Sequence, residues 1–297
     1  MRKRIIILGC AGIASLFDPA NLAAKEPVVT IELVRTFQVP GSKYIVTGGI
    51  NEGGDIAGSF YGRSEDVFGF IRRANGELVG PFSDPSDTGK YTIANGINQS
   101  QICGFYRATD GVKGFFRSGA TFTSYAVPGA SFTQLFGLNQ RGDFAGSYAL
   151  PGQPYVGFVN VKGAIESFAV PGASETLAYG INRNGDAVGQ YQSDTGLFHG
   201  FTRACDGTVA YPVDVPNSYS TFLYGVNDEG YIIGSYEDQQ VNSHGLLVKR
   251  PHTVVTFDVP GSSLTILTGI NNSGQIAGYA VIPGDKWEGF IAQIHAQ

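Results

Sequence analysis

The sequence predicts an all-β fold: a six-bladed β-propeller with four antiparallel strands per blade, its ring closed by an N-terminal strand that completes the last blade. Three observations predict it. One phrase recurs six times, as GINEGGDIAGSF from Gly49, GINQSQICGFY from Gly96, GLNQRGDFAGSY from Gly137, GINRNGDAVGQY from Gly180, GVNDEGYIIGSY from Gly225 and GINNSGQIAGYA from Gly269. The spacings, 47, 41, 43, 45 and 44 residues, hold four short strands and their turns, which is the size of a propeller blade. The chain also has a strand too many before the first repeat and one too few after the last.

Each blade can be read in chain order. Strand A runs into the repeated Asn, and in five repeats a Thr stands four residues before the Gly that precedes it: Thr92, Thr133, Thr176, Thr221 and Thr265. Asn-x-x-Gly then turns the chain, as in Asn139 to Gly142, because Asn forms an Asx turn and Gly takes the left-handed position of a short hairpin. Repeat 2 reads Gln101 in that Gly slot. Strand B ends at an aromatic slot (Phe60, Tyr106, Tyr148, Tyr191, Tyr236), which predicts inter-blade core.

Strand C starts at a second marker: Gly69-Phe70, Gly114-Phe115, Gly157-Phe158, Gly200-Phe201, Gly245-Leu246 and Gly289-Phe290. Turns at Asn75-Gly76, Lys162-Gly163 and Asp206-Gly207 lead into strand D, which ends in Val-Pro at Val39, Val127, Val170, Val215 and Val259. Repeat 2 shows Gly80-Pro81-Phe82 instead. Pro there suits an edge strand leaving its sheet. After Phe290 only strand C fits before Gln297, while an orphan strand D, residues 30–39, precedes repeat 1. Pairing them closes the ring, where an open array would leave two bare sheet edges.

Composition narrows the function. Of 297 residues 42 are Gly, about twice the usual share, with no three-residue period that would make collagen. A net charge of −5 without a Lys/Arg block argues against nucleic acid as a partner. Arg2, Lys3 and Arg4 precede an apolar run over residues 5–17 and small residues up to Ala24. That order predicts a secretory signal peptide over 1–24, too short to span a membrane, and a single domain over 25–297 in an extracytoplasmic (secreted or periplasmic) location. Cys103 fills a slot held by Ala57, Ala145, Val188, Ile233 and Ala277 elsewhere, so it reads as a small buried hydrophobe. Cys205 falls in a turn of another blade, and the two imply neither a metal site nor a bridge between them.

The phrase GINRNGDAVGQY with His199-Gly200-Phe201, and the Val-Pro-Gly-Ala-Ser linkers, resemble the HAF-repeat extracellular proteins of bacteria over residues 37–291. That family pairs a Gly-Ile-Asn-x-x-Gly-x-x-x-Gly phrase with a His-Ala-Phe tripeptide. Here Gly replaces the Ala throughout, and only His199 and His244 keep the His. The resemblance implies secretion and a propeller-like fold, and no catalytic residue.

Strands alternate in direction, so the variable B–C loops share one end of the molecule with the D–A linkers. Function gathers on variable loops over a rigid scaffold, and from that face the candidate ligand-binding residues are Glu65, Asp66, Asp110, Tyr155, Asp194, His199, His244, Asp285, Trp287 and Glu288. Trp287, the single Trp, lies in what reads as the longest B–C loop and suits sugar stacking or covers the gap between blades. His199 and His244 stand too far apart to share a zinc and read as packing at the start of strand C. The six repeated Asn residues are turn formers. The expectation is a monomeric binding module for a glycan, small ligand or protein partner, with no cofactor, no resident metal and no assigned catalytic residue. The alternatives are a polysaccharide hydrolase or lyase using two carboxylates ~5–10 Å apart, with or without calcium, and a passive envelope or matrix protein.

Overall fold

The computed structural model describes residues 28–249 and 253–296; the signal peptide expected over 1–24 lies outside them. β1 (Val29–Phe37) precedes the first repeat. Unit one is β2 (Tyr44–Ile50), β3 (Ile56–Tyr61), β4 (Val67–Arg72) and β5 (Leu78–Phe82). Unit two is β6 (Thr92–Ile97), β7 (Ile102–Ala108), β8 (Gly111–Ser118) and β9 (Thr121–Tyr125). Unit three is β10 (Phe132–Leu138), β11 (Phe144–Ala149), β12 (Val156–Val161) and β13 (Ala164–Phe168). Unit four is β14 (Glu175–Ile181), β15 (Ala187–Gln192), β16 (Phe198–Arg203) and β17 (Val209–Val213). Unit five is β18 (Ser220–Val226), β19 (Tyr231–Glu237), β20 (Ser243–Lys249) and β21 (Thr253–Phe257). Unit six is β22 (Leu264–Ile270), β23 (Gln275–Ile282) and β24 (Lys286–Ala296). Within each unit successive strands pair antiparallel.

The missing fourth strand of unit six is β1, which runs antiparallel to β24 from Val29↔Ala296 to Phe37↔Gly289. Apolar clusters sit between neighbouring units. Ala57 and Ile71 of unit one meet Ala94, Ile97 and Ile102 of unit two, and Ile50 and Ile56 of unit one meet Ala277 and Ile291 of unit six. The Gly-Phe marker acquires a reason here. The fully buried Phe70 ring lies over Gly58 of the adjacent strand, where a Cβ would stand 2.6 Å from Phe70 Cζ. Cys103 is free and buried in the small-residue slot, and burial pushes its thiol up to about 12.

At the turn end each repeated Asn does two things. Asn182 Oδ1 accepts from the N–H of Asn184 at 2.9 Å and of Asp186 at 3.0 Å, which makes the expected Asx turn. Its Nδ2 donates to the carbonyl of Asn227, the same residue of the next unit, at 3.3 Å. The same bond runs from Asn51 to Asn98, Asn98 to Asn139, Asn139 to Asn182, Asn227 to Asn271, and Asn271 back to Asn51 at 3.0 Å. All six Asn residues are buried. Outside this belt Asn272 donates to both Glu52 and Asp228, again joining unit six to units one and five.

Two readings of repeat 2 are corrected. Ile97 pairs with Ile102 where Leu138 pairs with Phe144, so the turn is one residue shorter. Gln101 takes the place of Asp143, and the Gly is missing rather than replaced. The linker is not replaced by Gly80-Pro81-Phe82 either, because that segment is the end of β5. Asp84-Pro85 holds the Val-Pro position: the Asp84 N–H donates to Thr92 Oγ1 at 3.1 Å, as Val127 donates to Thr133 and Val170 to Thr176. That bond is also why a Thr opens strand A. A two-residue insertion before Thr92 hid the equivalence.

Candidate functional site

The end of the molecule opposite the Asn belt carries the sequence variation. Strand A of each unit starts there and strand B finishes there, so their terminal side chains form its rim. From unit six to unit two the rim is a continuous run of partly exposed aromatic rings. Trp287 stacks on Tyr279 at 5.7 Å between centroids and 17° between planes, and meets Tyr44 edge-on at 5.3 Å. Tyr44 contacts Tyr61 at 6.0 Å, and Tyr61 contacts Tyr91 at 6.5 Å with the two hydroxyls 3.4 Å apart. Cations flank the run: Arg107 lies 4.3 Å over the Tyr91 ring and Lys43 4.8 Å over Tyr44. Burial, then the hydrogen bond with Tyr91, raises the Tyr61 pKa far above a free phenol's.

Trp287 does not sit in a long loop. Val281 pairs with Trp287 and Ile282 with Lys286, leaving a tight turn over 283–285. Trp287 therefore stands on β24, one side of its ring packed against the cluster of Val39, Ile45, Phe60 and Phe70. It covers the join between units, one of the two sequence readings, and keeps part of its side chain exposed. His199, His244 and Glu288 likewise lie on strands rather than loops.

In units four and five the rim is built differently. His199 Nδ1 lies 2.7 Å from Asp214 Oδ2, and its ring stacks on Tyr191 at 5.3 Å. His244 Nδ1 lies 2.8 Å from Asp258, its Nε2 3.5 Å from Asp238, and its ring stacks on Tyr236 at 5.1 Å. Packing at the start of strand C, as expected, is what both do. Burial disfavours the His244 imidazolium, but hydrogen bonds and charge from Asp258 and Asp238 outweigh it and raise its pKa. Asp238 is held down to about 2, chiefly by Asn242.

The remaining candidates do not converge. Glu65 and Asp285 occupy exposed left-handed turn positions, φ 65° and 56°. Asp66 accepts from Ser64 and pairs with Lys90 at 3.3 Å, Asp110 pairs with Lys113 at 2.8 Å, and Glu288 accepts from Gln38 at 2.9 Å. Asp194 is exposed in its own turn. Tyr155 faces Phe132 at 6.0 Å, and burial raises its pKa. Among the described residues no three His, Cys, Asp or Glu side chains stand close enough to hold a metal ion, and no helix is long and apolar enough to cross a membrane.

The inner strands surround a cavity of about 190 Å³. One slot, the residue before the inner-strand Gly, decides its character. Units three to five place Phe136, Tyr179 and Tyr224 there, and units six, one and two place Thr268, Gly48 and Asn95. Phe136 and Tyr179 lie 4.4 Å apart, and Tyr179 and Tyr224 5.2 Å apart at 88°. The small side is tied to the backbone of neighbouring units: Thr268 donates to the Gly48 carbonyl at 2.9 Å and Asn95 to that of Leu135 at 2.9 Å. Tyr279 joins rim and cavity, because its ring carries Trp287 while the side chain lines the channel. Of the aromatic run, sequence reasoning picked out only Trp287. The slot before the Gly, where the repeats stop agreeing, was the signal for the channel residues.

No protein-family model matches the chain, and no curated protein matches it in sequence. Solved structures do resemble it in fold. AofleA from Arthrobotrys oligospora superposes with a TM-score of 0.58 at 13% identity, covering 92% of this chain and 90% of its own. The provisionally assigned TolB of Agrobacterium tumefaciens gives 0.57 at 14%, covering 93% and 99%. The lectin of the fungus Aleuria aurantia, described as a six-bladed β-propeller that recognises fucose, gives 0.55 at 12%, covering 88% and 97%. At such identities the likeness is one of fold: the chain is a β-propeller.

Proposed function

We propose that the protein is a closed six-bladed propeller acting as an extracytoplasmic glycan-binding module, which seats sugar rings on the aromatic run at its variable end. The observation that carries this reading is the run itself: Tyr279, Trp287, Tyr44, Tyr61 and Tyr91, side by side across three units, part-exposed, with Lys43 and Arg107 beside them. Sugar rings present C–H faces that pack on aromatic faces, and hydroxyls that hydrogen-bond to flanking phenols and cations. The ring is supported by the pairing of β1 with β24 and by an Asn belt that returns to its first member. Export rests on the signal-like order of residues 2–24. The fold likeness to a fucose-recognising lectin agrees with the glycan reading.

Because Trp287 is the only Trp, its fluorescence reports on this surface alone. Titration with a panel of oligosaccharides is expected to give a saturable change for at least one of them. Trp287→Ala is expected to weaken that binding, followed by calorimetry, at least tenfold, about 1.4 kcal/mol. A panel that leaves the fluorescence unchanged overturns the reading. Sugar shortened during the titration would point to the hydrolase alternative.

A further inference from the structure

We propose that the central channel is a second binding site, adjoining the rim at Tyr279, that takes a small organic ammonium ion. Its wall is an aromatic arc of Phe136, Tyr179 and Tyr224, with Tyr179 and Tyr224 at right angles, and Tyr279 joins the lining from β23. Rings meeting at right angles offer two π-faces to one ligand, and a cation gains from each. The volume of about 190 Å³ equals roughly six waters of liquid, so the ligand is an amine with a few carbons.

Charge selects the sign. Among the described residues no Lys or Arg lines the cavity. Glu175, opening β14, lies within electrostatic reach of Tyr179, and Glu237, closing β19, within reach of Tyr224. Neither carboxylate has a hydrogen-bond or ion-pair partner among the described residues, and burial alone raises the pKa of each. Among the described residues the hydroxyls of Tyr179 and Tyr279 have no hydrogen-bond partner either. Unpaired half-buried acids above a wall of π-faces favour a cation. An organic cation fits better than a metal ion: a bare metal needs several oxygen ligands at once, and among the described residues no three carboxylate, His or Cys groups cluster.

The small side of the channel explains why the space exists. Gly48, Asn95 and Thr268 stand in the slot that Phe136, Tyr179 and Tyr224 fill elsewhere, and the Thr268 hydroxyl and Asn95 amide donate to neighbouring backbone carbonyls. That half contributes room and the other half contributes contact.

Calorimetric titration of the protein with choline, and with its neutral isostere 3,3-dimethyl-1-butanol, tests the proposal. Choline is expected to bind saturably and at least tenfold more tightly than the alcohol. Tyr179→Leu, which removes a π-face, and the double variant Glu175→Gln/Glu237→Gln are each expected to weaken choline at least tenfold. Tyr179→Phe, which keeps the face, is expected to stay within threefold. The carboxamide pair keeps the test valid should Tyr179→Leu fail to fold. Equal binding of cation and alcohol overturns the proposal in favour of a merely apolar cavity, and so does failure of both to bind. Trp287→Ala is expected to leave choline binding within threefold while weakening oligosaccharide binding at least tenfold, so the two sites can fail independently.

Discussion

The two ends of this propeller are made by one repeat under opposite rules. At the turn end the same Asn appears in every unit, folds its own hairpin and donates to the next Asn around the ring. At the loop end corresponding positions hold Trp, Tyr, His, acids and cations with different partners in each unit. Residues are uniform where a side chain must serve its neighbour as well as itself. They vary where a side chain answers only to solvent or a ligand. The resulting division of labour places the bonds that join the units at one end and the proposed recognition surface at the other.

The largest test of that contrast is Asn182→Ala. It removes two Asx-turn acceptor bonds and the donor bond to Asn227, and leaves buried groups unpaired, so urea denaturation should show a loss of about 3 kcal/mol. Asp194→Ala, in an exposed turn at the other end, should stay within about 0.5 kcal/mol of the parent. Comparable losses at both sites would erase the distinction.

Asp84 sharpens it from the loop end, since it stands where the other linkers carry a buried or half-buried Val. It is buried, one carboxylate oxygen has no hydrogen-bond partner among the described residues, and burial raises its pKa against the pull of Ser86. A carboxyl raised in the folded state lends stability below its unfolded value, and that stability is lost as pH rises through the folded value. Asp84→Val should therefore stabilise the protein by about 1 kcal/mol at neutral pH and remove this part of the acid-limb slope. An unchanged or lower melting temperature at pH 7 would show that the carboxyl has a use in the linker.

His244 gives the smallest effect. Its folded pKa is raised, so its contribution is full below 6.5 and declines as pH rises through the folded value. His244→Gln should flatten the stability profile there by about 0.5 kcal/mol, measured by thermal unfolding across pH 6 to 9.

The fold was legible in the sequence because its markers each have a local cause. Asn and Gly make the turns, Thr caps the linker, and Gly lets Phe70 and its equivalents lie flat on the neighbouring strand. Unit two resisted because one deleted residue and one two-residue insertion shift its markers against the repeat. The candidate site was legible only at Trp287, since Tyr44, Tyr61, Tyr91 and Tyr279 are ordinary residues in or beside strands until three units come together. The acids chosen by loop position proved to be locally paired or exposed, because a loop's charge says nothing about where its neighbours' loops end.

The pairing of β1 with β24 has a mechanical consequence. Val29 lies opposite Ala296 and Phe37 opposite Gly289, so both ends of the described chain leave the same end of one strand pair. Tension applied through them would peel the hydrogen bonds one after another instead of shearing them together. The seam that completes the last sheet is thus a zipper with both pulls at one end, and under load it would part first.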